Sequence, residues 1–113
     1  MGTDERRGKD RIDSLNLLEV SVDENKNVVD QGMGRTLNVS ESGILLETHF
    51  PIDLESAVTL TIAIENELIQ LNGKVVHSRA GDTGTYETGV EFTGIDESTM
   101  PAIRKLVTAF QKH

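Results

Sequence analysis

The sequence of 113 residues predicts a mainly β fold, with six strands in a small antiparallel barrel or sandwich and a C-terminal α-helix. Six segments alternate apolar and polar side chains, which is the pattern of strands that bury one face. Short turns rich in glycine, proline, asparagine and aspartate separate these segments, and such spacing is typical of an antiparallel barrel or sandwich. The last segment changes to the spacing of an amphipathic helix.

The clearest predicted strand covers residues 58–64, where a valine, a leucine and two isoleucines occupy every second position. Residues 86–92 repeat the alternation, with Tyr86, Val90 and Phe92 on one face and two glutamates on the other. The remaining predicted strands cover residues 15–22, 36–40, 44–49 and 68–76. Turns are predicted at residues 23–27, 31–34, 50–53 and 80–84.

A helix is predicted at about residues 98–112. Ser98 or Thr99 can cap its N-terminus, and Pro101 is tolerated because a first-turn N–H has no partner within the helix. The apolar stripe consists of Met100, Ile103, Leu106, Val107 and Phe110. This stripe would pack on the barrel or against a second protomer, so a homodimer is compatible with the sequence.

Charge and composition exclude several functions. With 19 acidic and 11 basic residues, the net charge is -8, whereas binding DNA or RNA requires a basic face that releases counterions. The same charge argues against an anionic membrane surface. The absence of cysteine excludes disulfides and thiolate nucleophiles. Neither a membrane-spanning segment nor the apolar core of a signal peptide is evident, so the cytoplasm is the expected location.

The first residues differ in charge from the rest of the chain. Residues 1–11 contain four basic and three acidic side chains, whereas the remainder contains seven basic and 16 acidic ones. We therefore expect residues 1–13 to form a flexible arginine-rich arm and residues 14–113 to form a single domain. If the arm is extended, Arg7 and Arg11 project to the same side about 13 Å apart. Their planar guanidinium groups suit phosphate and guanine.

A second candidate motif lies near the second predicted strand. Asn38 and Ser40 should face outward, while Leu37 and Val39 should point into the core. Gly43, at the following bend, could adopt a positive φ or let a ligand approach the backbone closely. Taken alone, this segment is more typical of an ordinary polar strand end followed by a glycine turn.

The two motifs together, followed by this pattern of strands, resemble the PilZ domain family of small cytoplasmic bacterial β-barrels that sense cyclic di-GMP. Arg7 and Arg11 match the family's RxxxR motif. Asn38, Ser40 and Gly43 match its D/N-x-S-x-x-G motif. The similarity extends from about residue 5 to the C-terminal helix, although residues 53–55 lack a glycine that the family often has there.

The resemblance implies a ligand-binding role for each matching residue. Arg7 and Arg11 are expected to hold the phosphates and guanine faces of cyclic di-GMP, with Arg6 as a third cation. Asn38 and Ser40 are expected to bind a guanine edge, and Gly43 to permit close backbone contact. Three arginines suit a stacked pair of ligands, so two molecules per protomer are expected. Ligand binding would order the arm and signal to an unidentified downstream protein.

The two alternative functions are a protein-interaction adaptor and a nucleotide-processing enzyme. A PilZ-like adaptor in motility or pilus machinery would not bind nucleotide, but such members typically lack both motifs. A nucleotide-processing enzyme would need a nucleophile, metal site or general base. His49, His77 and His113 lack metal-ligand spacing, and nothing resembles a catalytic triad. We therefore predict no catalysis, no metal and no cofactor.

Overall fold

The computed structural model describes residues 17–25, 27–64 and 66–111, which form six antiparallel strands, one helix and the loops that connect them. The strands are β1 (Leu17–Glu24), β2 (Asn27–Val39), β3 (Gly43–Thr48), β4 (Ala57–Ile64), β5 (Glu67–Ala80) and β6 (Tyr86–Thr93). The helix, α1, spans Met100–Gln111. The predicted fold class, a six-stranded antiparallel barrel with a C-terminal helix, is confirmed.

The strands close into a barrel in the order β1-β2-β3-β6-β5-β4, with β4 also paired to β1. After β3, the chain therefore crosses to the other side of the barrel before β4 begins. Ile52, in this crossing segment, is almost completely buried. The crossing is important for the site because it leaves β3 free to pair with β6, the last strand.

The apolar alternation explains the barrel interior. Side chains at every second position of β4 are buried, and the other strands add inward-facing leucine, isoleucine and valine. Ile103 and Leu106 of α1 belong to the same apolar cluster, so the helix packs against the barrel core. Within the described part of the chain, no helix has the length and hydropathy needed to cross a bilayer.

The predicted turn at residues 31–34 is wrong, because these residues lie inside the 13-residue strand β2. Gly32 and Gly34 lie at closely packed positions of this strand and do not reverse the direction of the chain. A Cβ at Gly32 would lie 2.6 Å from a ring carbon of Phe50, and a Cβ at Gly34 would lie 3.3 Å from side chains of Val20 and Thr48. The glycines therefore make room for neighbouring side chains.

Asp96, rather than Ser98 or Thr99, provides the acceptor that caps the start of α1. Its Oδ1 accepts hydrogen bonds from the backbone N–H groups of Ser98 and Thr99 at 2.9 and 3.0 Å. The Thr99 hydroxyl in turn accepts the Asp96 N–H at 2.7 Å. Hydrogen bonds from the side chains of Ser98 and Thr99, reinforced by the backbone bonds, lower the pKa of Asp96 to about 2.

Candidate functional site

The turn between β2 and β3 fixes the predicted serine at the surface. Ser40 N–H donates to the Gly43 carbonyl at 2.9 Å, which closes the turn. The Ser40 hydroxyl lies 3.1 Å from the Ser42 hydroxyl and accepts the Ser42 N–H at 3.3 Å. Ser40 remains exposed, so its position is set by the turn while its oxygen stays accessible.

Gly43 is required by the neighbouring strand and not by a positive φ. Among the described glycines, only Gly84 and Gly94 have positive φ values. A Cβ at Gly43 would instead collide with the Val90 carbonyl oxygen of β6 and lie 3.4 Å from the Glu91 Cα. The backbone is anchored further by a 3.0 Å hydrogen bond from Phe92 N–H to the Ser42 carbonyl. Gly43 therefore holds the turn tightly against β6.

A β-bulge at Leu37 changes which side chains face inward. The β2–β3 register shifts between Thr36 and Asn38, so Thr36 and Val39 are the buried residues. Leu37 is only half-buried and lines an outer hollow, so its predicted place in the core is wrong. The bulge supplies one additional residue without breaking the strand.

Asn38 points outward beside the turn, as predicted. Its side-chain Oδ1 accepts the Val39 N–H at 2.9 Å, which fixes the orientation of the amide. Asn38 and Ser40 both line a hollow of about 190 Å³, together with Gly43 and Leu45. The three described residues of the predicted site are thus brought together. Arg6, Arg7 and Arg11 lie outside the described residues.

Strand pairing adds residues that the sequence motifs did not identify. Asn38 is paired with Leu45, Leu45 with Gly89, and Gly89 with His77. These four positions form one row across β2, β3, β6 and β5. A side chain at position 89 would be crowded by the neighbouring strand, since a Cβ there would lie 2.9 Å from the His77 Cβ. Only the pairing order places these residues beside the motif, and no local sequence pattern indicates it.

The next outward-facing row on the barrel wall, which is the outer surface of β2, β3, β6 and β5, carries compensating charges. Arg35 lies 3.2 Å from Glu47, and Arg79 lies 3.2 Å from Glu87. His77 Nε2 also lies 3.0 Å from a Glu87 oxygen. These carboxylates offset the cations of the wall, so the wall offers mainly hydrogen-bonding groups to an anion. Within residues 17–25, 27–64 and 66–111, no group of three or more ligating side chains is placed to hold a metal ion.

The fold and the turn define a small, closed β-barrel with a polar hollow on its outer surface. The sequence model of the PilZ domain matches residues 5–109, and the chain belongs to the PilZ domain family. This family typically binds cyclic di-GMP, and its domains are generally non-catalytic receptors.

Solved PilZ structures share this fold. The PilZ domain of CeSA from a cellulose-synthesizing bacterium is 19% identical, with a TM-score of 0.65 over 86% of this chain and 94% of that one. The PilZ domain of Escherichia coli YcgR with c-di-GMP is 9% identical, with a TM-score of 0.64 over 85% and 82%.

A third similar structure, K. pneumonia MrkH in its apo state, is 14% identical, with a TM-score of 0.62. The similarity covers 86% of this chain but only 47% of MrkH. The search of curated proteins found no match. At these identities, the structural similarities concern the fold alone.

Proposed function

We propose that this chain is a cyclic di-GMP receptor whose N-terminal arginines and β2–β3 turn bind the ligand together. The observation that carries the proposal is the turn itself. Asn38, Ser40 and Gly43, the residues of the D/N-x-S-x-x-G motif, are adjacent on the outer wall of a PilZ barrel. The E. coli YcgR structure shows a domain of this fold together with c-di-GMP.

The turn and the arm have complementary chemistry. Asn38 and Ser40 supply an amide and a hydroxyl in fixed positions, which suit the donor and acceptor groups of a guanine edge. The wall around them has its cations paired with carboxylates. Arg7 and Arg11, with Arg6 as a third cation, would therefore supply the positive charge that a dianionic ligand needs. Cytoplasmic location, as expected from the sequence, is part of this proposal.

The expected contacts are sufficient for a sensor. Hydrogen bonds to charged groups contribute about 1.5–3 kcal/mol each, and micromolar affinity corresponds to about -8 kcal/mol. Three or four such contacts therefore suffice after the cost of ordering the arm is subtracted. We propose that the ordered arm is the signal that a partner protein reads. A stacked pair of ligands carries four negative charges, which matches three arginines better than a single dianion does.

Calorimetric titration with cyclic di-GMP tests this function. Arg7→Ala and Arg11→Ala should each weaken binding at least tenfold, because each removes a charged contact, and thermal unfolding should show that the barrel remains folded. Lys9→Ala is the matched control, since it removes one positive charge from a variable position of the RxxxR motif, between the two arginines. Full affinity in Arg11→Ala would refute the site. A stoichiometry near one would refute the ligand pair.

The contribution of the barrel residues to the proposed site is tested by a separate pair of variants. Asn38→Ala should weaken binding, whereas Gln70→Ala should not, because Gln70 is an exposed amide on β5 whose side chain contacts Thr61 of β4. Absence of binding by the unmodified protein would refute the receptor function and favour the adaptor alternative.

A further inference from the structure

A groove beside the motif connects the β2–β3 turn to α1. It has a volume of about 510 Å³, and its lining includes Ser40, Glu41, Arg104 and Thr108. Ser40 and Val39 also line the smaller hollow of about 190 Å³ that contains Asn38. The two spaces therefore meet at the motif serine.

Size indicates that the smaller hollow is only part of a binding site. Pockets for small molecules are typically about 300–1,000 Å³, so the hollow at Asn38 is too small alone, whereas the groove lies within this range. A ligand seated on Asn38 and Ser40 gains a further wall by extending towards α1. Val107, half-buried beside Arg104, adds an apolar surface to that wall.

Charge distinguishes this groove from a larger space on the barrel wall. The space near Leu37, of about 630 Å³, is lined by Glu47, Asp82 and Glu87 against a single arginine, Arg79. That lining carries a net negative charge and disfavours an anion. The groove beside α1 contains one carboxylate and one guanidinium, Glu41 and Arg104, so its charged side chains balance.

The pair formed by Arg104 and Glu41 is weakly held. Arg104 Nε lies 3.9 Å from a Glu41 oxygen, and the two side chains are 67% and 63% exposed. Exposed pairs at such distances contribute little to stability. A phosphate can accept two parallel hydrogen bonds from the guanidinium fork, which is a stronger interaction than this loose contact.

We propose that Arg104 is a further ligand-binding residue, which holds an anionic phosphate group in the groove between the β2–β3 turn and α1. Glu41 competes with that phosphate for the same guanidinium. This inference rests on the proposed function, because it places part of the same phosphate-containing ligand. It also gives α1 a direct contact with the ligand, so binding at the turn is sensed by the helix.

Opposite effects of two substitutions test the inference by calorimetry with cyclic di-GMP. Arg104→Gln should weaken binding about tenfold, and Glu41→Gln should strengthen binding several-fold because it removes the competing carboxylate. Arg104→Lys should lie between the unmodified protein and Arg104→Gln, since it keeps the charge but loses the planar fork. A purely structural ion pair would instead give losses of similar size for Arg104→Gln and Glu41→Gln.

Lys105 and Glu67 provide the matched controls. Lys105 is adjacent on α1 but contacts Glu67 of β5, so Lys105→Gln and Glu67→Gln repeat the same charge changes away from the groove. If Arg104→Gln and Glu41→Gln do no more than these controls, or if Glu41→Gln fails to strengthen binding, the inference is overturned while the receptor function stands. If the unmodified protein does not bind cyclic di-GMP, both are overturned.

Discussion

Alanine in place of Gly43 would introduce a methyl group where β3 meets β6. The added Cβ would collide with the Val90 carbonyl oxygen, and this oxygen belongs to the backbone, so it cannot rotate away. Overpacking of this kind costs about 1–3 kcal/mol. Alanine recovers about 0.4–1 kcal/mol by restricting the unfolded chain. We expect a net loss of about 1.5 kcal/mol, which corresponds to a fall in Tm of roughly 6–12 °C.

Thermal unfolding followed by circular dichroism measures this loss, and Gly81→Ala is the control. A Cβ at Gly81 would lie 3.1 Å from the Thr85 hydroxyl, which belongs to a side chain that can adjust. Gly81→Ala should therefore change Tm by only a few degrees. Equal stability of the two variants would refute the argument that Gly43 is fixed by its contact with β6.

Comparison of Tm with cyclic di-GMP affinity in Gly43→Ala separates a structural role of this glycine from direct contact with the ligand. Displacement of β3 by the methyl group would disturb the Phe92 N–H to Ser42 carbonyl bond and with it the turn. Weaker cyclic di-GMP binding in Gly43→Ala should therefore accompany lower stability. Weaker binding with unchanged Tm would instead show that the ligand approaches this glycine directly.

Other substitutions test the barrel interior and the start of α1. Thr88→Val should be neutral or stabilising by up to about 1 kcal/mol, because the buried Thr88 hydroxyl has no hydrogen-bond partner among the residues that the structure describes. Thr48→Val should destabilise by about 1 kcal/mol, because it leaves the Phe50 carbonyl without its 2.7 Å bond; denaturant unfolding measures both. Asp96 has a pKa of about 2 in the folded protein, below its usual value of 3.8. The ionised Asp96 therefore stabilises the folded protein above about pH 4, and this stabilisation is lost as the pH falls through 2. Asp96→Ala should accordingly make the free energy of unfolding less dependent on pH between about pH 4 and pH 2.

The alternation of side chains was sufficient to predict the strands, because burial of one face imposes a period of two. It failed where the backbone departs from a regular ladder. Gly32 and Gly34 resemble a turn in sequence, yet they accommodate Phe50, Thr48 and Val20 inside a long strand. The bulge at Leu37 shifts the alternation by one residue, which only the pairing with β3 reveals.

The candidate site was predictable only in part. Asn38 and Ser40 follow local alternation, so their outward orientation could be derived from the sequence. His77 and Gly89 join the wall through β5–β6 pairing, and Arg104 joins the groove through packing of α1. These are contacts between distant parts of the chain, and a local pattern carries no information about them.

Pairing between β3 and β6 has a consequence for folding order. Gly43 pairs with Glu91, so the strand that supports the β2–β3 turn is synthesised well after the motif residues. Contacts between residues so far apart in sequence form slowly, because a long loop must close first. During synthesis, which proceeds from the N-terminus, a nascent chain contains Asn38, Ser40 and Gly43 before Gly43 can pack against β6. The turn that carries the motif residues therefore reaches its final packing only when the last strand enters the barrel.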